Sequence, residues 1–209
     1  MKLLGMLMLL MTALAHGAAP AGQRQKVILD FDLGNDIDDA FALALVLASP
    51  ELELVGITLD HGRTDLRAQI ACRMLYEAGC ETIPVAVGRQ TVQIVGKDQK
   101  PAPYHPQYFW AEGFAAVKPV STPAADFIIQ MLDRYPGEIV LITTGPVPNM
   151  ADVVAKDADA LKKAKAIYAM FGSFYMGYGR DPAPSAEWNV AADVASAKTF
   201  VDAGAEITY

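Results

Sequence analysis

Val27-Ile28-Leu29-Asp30-Phe31-Asp32-Leu33-Gly34-Asn35-Asp36-Ile37-Asp38-Asp39-Ala40 is the stretch on which the fold turns. Its opening apolar run, Val27-Ile28-Leu29, has the β-branched character and the length of a buried strand. The segment that follows it, Ala40 to Ala48, is apolar almost all round and reads as a buried helix. Five carboxylates, Asp30, Asp32, Asp36, Asp38 and Asp39, therefore fall on a strand-to-helix turn. That is the carboxyl end of a strand, where open α/β sheets bind their ligands. Like charges at such density repel, so a cation or partial protonation is needed to hold the turn together. A plain surface turn capping a helix is the simpler alternative, but it would not need apolar walls on both sides.

Outward from this stretch, strands and helices alternate, which points to an α/β fold with a mainly parallel sheet covered on both faces. Leu52 to Thr58 reads as a strand, Asp65 to Ala78 as a helix ended by Gly79, and Ile83 to Val87 as a short strand. Thr122 to Tyr135 is a helix with Thr122 as cap and Pro123 in its first turn. Ile139 to Thr143 is a strand leading through Thr144-Gly145-Pro146-Val147-Pro148-Asn149 into a helix, and Ala166 to Met170 is the next strand. A helix from Asp193 to Ala203 ends at Gly204, and Glu206 to Tyr209 begins another strand. Residues 89–119, with Tyr104-His105-Pro106-Gln107-Tyr108-Phe109-Trp110, read as an irregular lid or binding loop. A Gly- and Pro-rich loop spans Phe171 to Ser185.

The 209 residues suffice for one domain or most of a larger one, and 53% hydrophobic residues can build a substantial core. A formal net charge of −7 excludes a general nucleic-acid binder and leaves an uncharged or cationic small molecule as ligand. Met1 to Ala19 has the charged start, apolar stretch and small-residue end of a secretory signal, so the expected location is periplasmic or secreted. No membrane association is expected once that signal is removed. Cys72 and Cys80 sit across a helix and its end, roughly 12 Å apart along a continuous helix. They read as two buried thiols rather than a disulfide.

Three separated motifs then make a resemblance. Asp30-x-Asp32-x-Gly34 running to Asp38-Asp39-Ala40, Thr144-Gly145-Pro146 with Asn149, and Glu187-Trp188-Asn189 followed by Asp193 resemble the nucleoside hydrolase family, the inosine-uridine N-ribohydrolase type. The likeness covers Lys26 to Tyr209. It implies a nucleoside-hydrolase-like, Rossmann-like core and calcium-dependent hydrolysis of the N-glycosidic bond of a ribonucleoside, giving ribose and free base. It further implies Ca²⁺ held by Asp32, Asp39 and the backbone carbonyl of Thr144. Asp38 would be the base acting on water, with Glu187 and Asn189 on ribose hydroxyls. Asp30 and Glu187 would favour the positive charge that develops on the sugar ring.

The chain departs from the family pattern in several places. Asn35-Asp36 lengthens the opening motif, so the base lies between Asp38 and Asp36; Asp38 is favoured because Asp38-Asp39-Ala40 enters the helix as the family does, leaving Asp36 toward substrate. The family's Asn after the second strand falls near His61-Gly62-Arg63, with Arg63 or Asp60 as stand-ins. An Asn of the substrate loop falls at Asp181. The family strand that carries a further calcium-binding Asp only begins here, which implies a domain over residues 26–209 whose C-terminal part is missing. An open sheet edge at Tyr209 would invite a homo-oligomer. His105 or His61 could protonate a leaving base, and Tyr175, Tyr178 and Trp188 could stack on it. Two other readings compete. A DxD phosphotransferase would leave Glu187-Trp188-Asn189 without a role. A non-catalytic exported calcium- and ribosyl-binding relative, or an inactive fragment, would keep recognition without turnover.

Overall fold

Alternation along the first strand sets the layers. The structure is a computed structural model describing residues 24–92, 94–95, 100–101, 107–178 and 181–209. Residues 1–19, Tyr104 and His105 lie outside them. In β1 (Gln25–Phe31), Ile28 packs to one side of the sheet while Val27, Leu29 and Phe31 pack to the other, all buried. A strand apolar on both faces needs helices on both, and it has them. The sheet comprises β1, β2 (Leu52–Leu59), β3 (Val85–Val87), β6 (Ile139–Thr143), β7 (Ala166–Ala169) and β8 (Ile207–Thr208), in the order β3-β2-β1-β6-β7-β8. Every pair in it is parallel. A separate antiparallel pair, β4 (Ile94–Val95) and β5 (Lys100–Pro101), lies in the insert.

Helices α1 (Asp38–Ala48) and α2 (Thr64–Glu77) cover one face through Leu43, Val46, Ile70, Ala71 and Leu75. Helices α3 (Ala124–Arg134), α4 (Pro148–Lys156) and α6 (Val194–Val201) cover the other through Ile128, Leu132, Met150, Val153 and Phe200. Strand order reverses between β1 and β6, so the acidic turn after β1 and the Thr144-Gly145-Pro146 turn after β6 meet at the switch point. Among the described residues no helix is long and apolar enough to cross a membrane.

Several local expectations change. Pro123, not Thr122, occupies the N-cap of α3, and no side chain caps that end. A short helix, α5 (Trp188–Ala192), precedes α6, and the residue before it, Glu187, caps it by accepting from the backbone N–H groups of Asn189 and Val190. Asp193 caps α6 by accepting from the Ser196 N–H at 3.0 Å. Within the insert, a 3₁₀ turn at Gln107–Ala111 buries Ala111 in the α2 side of the core. Cys72 and Cys80 are both free thiols; Cys72 is buried on α2, whereas Cys80, beyond the helix end, is only half-buried.

Gly88, just beyond β3, shows how tightly the sheet end is packed. Its N–H donates to the Leu59 carbonyl at 3.0 Å, and its own carbonyl accepts from the Thr64 hydroxyl at 2.7 Å. A Cβ there would fall on the Leu59 carbonyl oxygen and on the Asn149 amide. Gly88→Ala is therefore expected to destabilise the chain by about 1–3 kcal/mol. At roughly 2–4 °C per kcal/mol for a chain of this size, a melt followed by circular dichroism would fall by several degrees. An unchanged midpoint would mean that the Leu59 backbone yields freely.

Candidate active site at the switch point

Asp30 is the innermost carboxylate, and strand register pins it. It lies beside Thr58 of β2 and Thr143 of β6, and both hydroxyls donate to it, at 2.5 and 3.2 Å. The Asn149 amide donates to it at 2.7 Å and to the Leu59 carbonyl at 3.1 Å. Burial pushes the Asp30 carboxyl upward from its ordinary value, and these donors oppose the shift. Asp60, also wholly buried, is pushed well up by burial and then by the nearby Asp30 charge. The structure thus places Asp30 behind the cavity wall as a structural anchor rather than against a ligand.

Asp32 stands next along the turn. Burial raises its carboxyl while Arg67 lowers it, and the Asn35 amide donates to it at 2.8 Å. Arg67 of α2 is completely buried; its Nη2 lies 3.5 Å from Asp32 Oδ2, and Nη1 donates to the Asp32 and Leu33 carbonyls. Asp39, in the first turn of α1, accepts from the Thr144 hydroxyl at 2.7 Å. Burial first, and the Asp32 charge second, raise its carboxyl to about 8. Asp36 is pushed to about 6, chiefly by its hydrogen-bonded contact with the Asp38 carboxyl.

The opposite wall comes from β6 and the third motif. Gly145 is required there, because a Cβ would lie 2.7 Å from Asp60 Oδ1 and 2.9 Å from Asp32 Oδ1. Both N–H bonds of the Asn189 amide go to backbone carbonyls, Thr144 at 3.0 Å and Met170 at 2.8 Å. Glu187 accepts from the N–H groups of Gly172, Asn189 and Val190, at 3.0, 2.9 and 3.1 Å. Between the walls is a cavity of about 460 Å³.

Asp32, Asp36, Asp38, Thr144, Glu187 and Asn189 all line that cavity, joined by Asn35, Met170, Phe171, Gly172, Tyr178 and Trp188. Asp39 sits just beneath it, tied to Thr144. Asp181 is not brought in: it is exposed, and its carboxylate accepts from the Ala183 N–H at 2.9 Å. Tyr175 is 90% exposed and also stays out. Arg63 turns to Asp65 on the surface at 2.9 Å. His61 is buried with φ 51°, its Nδ1 3.0 Å from the Thr91 hydroxyl; burial and Arg67 lower it to about 4, so it is neutral and off the cavity.

Reading the sequence missed Arg67 as a participant. The signal was present: Thr64, Arg67, Ala68, Ala71, Cys72 and Leu75 form the buried side of α2, so a charged residue occurs in a helical core stripe. The donors that face or underlie the cavity are all hard oxygens, namely carboxylates and the Thr144 carbonyl, which suit a hard divalent cation. Among the described residues, no group of three or more His, Cys, Asp or Glu residues is placed to hold a metal ion by itself. A cation there would draw on carbonyl, solvent or ligand oxygens as well.

Fold and site together define a doubly wound α/β protein with an acidic, oxygen-lined ligand cavity at its switch point. The sequence profile described as inosine-uridine preferring nucleoside hydrolase matches residues 27–209, and the chain belongs to that family. Uridine nucleosidase 1 of Arabidopsis thaliana is 29% identical over 202 residues, covering 90% of this chain and 56% of the relative. The pyrimidine-specific ribonucleoside hydrolase RihB of Escherichia coli is 30% identical over 196 residues, covering 87% and 58%. A solved structure described as the plant nucleoside hydrolase PpNRh1 matches with a TM-score of 0.71 at 32% identity, covering 88% of this chain and 58% of that one. The chain therefore spans a little over half the length of these relatives.

The raised Asp39 carboxyl has a measurable consequence. Its folded value of about 8 lies above the unfolded value of about 3.9, so between these the folded chain holds a proton that the unfolded chain has lost. Stability conferred by that proton is present at low pH and is lost as pH rises through 8. His61, lowered to about 4, gives the opposite slope up to about 6.5, so the test is read above that. There Asp60, raised by burial, adds a slope of the same sign as Asp39, and the substitution isolates the Asp39 share. With divalent cations chelated, the melting temperature is expected to fall from pH 6.5 to 8, and Asp39→Asn to flatten the fall. A rise over this window, or a slope indifferent to the substitution, would contradict the assignment.

Proposed function

We propose that this chain hydrolyses the N-glycosidic bond of a ribonucleoside, releasing ribose and free base. The observation that carries the reading is the convergence of all three motifs on one cavity, with Asp32, Asp36 and Asp38 facing Thr144, Glu187 and Asn189. The relatives named for uridine and pyrimidine ribonucleosides support a substrate of that class, with uridine the first to test.

The sugar belongs against Glu187 and Asn189. Asn189 uses both of its N–H bonds on protein carbonyls, so Oδ1 is what it offers a ligand. Glu187 accepts three backbone N–H bonds and, as a carboxylate, has acceptor capacity left. Two acceptors side by side suit the hydroxyl donors of ribose. The base would then lie toward Tyr178, Trp188 and Phe171, which also line the cavity.

Asp38 is exposed at the mouth of the acidic turn, where its carboxylate can take a proton from water. The water oxygen bonds to the anomeric carbon, the C–N bond breaks, and its electron pair leaves on the base nitrogen, which takes up a proton. Asp32, Asp39 and the Thr144 carbonyl would hold Ca²⁺. When bound, that ion supplies Lewis acidity that makes water easier to deprotonate and oxygen coordination that orients sugar hydroxyls. The leader-like residues 1–19 support export to a periplasmic or secreted location, and association of copies remains part of the same reading.

Incubating the chain with uridine or inosine and Ca²⁺ should release ribose, measured as reducing sugar. Asp38→Asn should lower the rate by about 10²-fold or more, the usual contribution of a positioned base. No release from a folded chain that still binds ribose would favour the binding-only alternative. Equal rates in the variant would shift the base role to Asp36.

A further inference from the structure

Arg67, which packs against the acidic turn from α2, has no part in the hydrolase reading. It is wholly buried on α2, directly behind the turn, and its bonds fix it there. Nε donates to the His61 carbonyl at 2.7 Å, and Nη1 donates to the carbonyls of Leu33, at 2.8 Å, and Asp32. Nη2 has no hydrogen-bond partner among the described residues, and it lies 3.5 Å from Asp32 Oδ2. Three bonds thus lock the guanidinium to the backbone of the turn, while the remaining nitrogen faces the carboxylate at ion-pair distance without a hydrogen bond. A buried cation is retained only where nearby negative charge compensates its lost hydration. Here that charge is the acidic turn itself.

We propose that Arg67 is an internal counter-ion for the acidic turn, a positioning residue that keeps Asp32 and its loop assembled without a divalent cation and limits how strongly the turn draws one in. The inference rests on the proposed cation site at Asp32 and Asp39. A fixed positive charge beside Asp32 offsets part of the negative potential that a divalent cation would otherwise meet. It also lessens the need for that cation as a scaffold: the negative charge at Asp32 is offset from behind, through a residue fixed by the fold. Arg67 and the cation then compete for the same carboxylate.

The test uses the full chain, stripped with chelator, with Ca²⁺ alone as probe. Calorimetric titration gives affinity, and melts with and without Ca²⁺ give the stabilisation it confers. Arg67→Gln keeps a hydrogen-bonding side chain and removes the charge; Arg67→Lys keeps the charge and removes the planar fork. Arg67→Gln is expected to bind Ca²⁺ about tenfold more tightly than the unaltered chain. It should also melt lower in chelator and regain more on Ca²⁺ addition. Arg67→Lys should keep the affinity of the unaltered chain. Equal affinity in the unaltered chain and Arg67→Gln would overturn the proposal and leave the hydrolase reading intact. If Arg67→Gln fails to fold even with Ca²⁺, Arg67→Lys decides: an unchanged Ca²⁺ affinity supports the counter-ion, and a loss of affinity or of folding overturns it in favour of a plain structural strut. Ca²⁺ binding that appears only in Arg67→Gln would instead overturn the resident-cation reading while sustaining the role of Arg67.

Discussion

Repulsion among the carboxylates at the end of β1 is the constraint around which the rest is arranged. Five of them occur within ten residues, and three, Asp30, Asp32 and Asp39, are buried. The structure answers each one differently. Asp30 is met by neutral donors from two neighbouring strands and from α4. Asp32 is met by a buried guanidinium. Asp39, whose carboxylate has the Thr144 hydroxyl as its one hydrogen-bond partner among the described residues, has its carboxyl raised to about 8 by burial and keeps its proton near neutrality. Asp36 and Asp38 stay at the mouth, where solvent screens them.

These solutions depend on the parallel sheet rather than on the turn. Only a residue flanked on both sides by strands can receive hydroxyls from both, and Asp30 has Thr58 on one side and Thr143 on the other. The Thr144 N–H then continues the ladder by donating to the Asp30 carbonyl at 2.9 Å, which fixes the second turn against the first. Gly145 allows that approach, since any side chain there would meet Asp32 and Asp60. The cavity owes its shape to this close contact of two strand ends.

Much of this was legible in the sequence, and the reason differs by residue. The strand–acidic turn–helix order, the parallel sheet and the lining roles of Asp32, Asp36, Asp38, Thr144, Glu187 and Asn189 follow from local pattern and from motifs whose residues keep their neighbours. Asp30 and Asp181 were harder. Whether an Asp at a strand end faces a ligand or is packed between strands depends on register with β2 and β6, which lie 28 and 113 residues away. Asp181 lies in a loop whose course no periodicity fixes, and it turns outward. Arg67 was readable only as an anomaly in a helical stripe, because its hydrogen bonds go to backbone carbonyls that carry no side-chain signature and its ionic partner, Asp32, lies 35 residues away.

The third motif has two duties at once, and the same hydrogen bonds perform both. Glu187 closes the N-terminus of α5 and captures the Gly172 N–H, so three backbone donors hold its carboxylate in one orientation. Asn189 stitches the ends of β6 and β7 together through Thr144 and Met170. Removing either side chain would therefore disturb the wall before it disturbed any ligand. Conversely, a ligand that engages their remaining acceptor atoms meets groups already held in place, and little further ordering is needed on binding. Structural capping and ligand recognition are in this way one arrangement, which is why the spacing Glu187-x-Asn189 serves the helix start and the cavity alike.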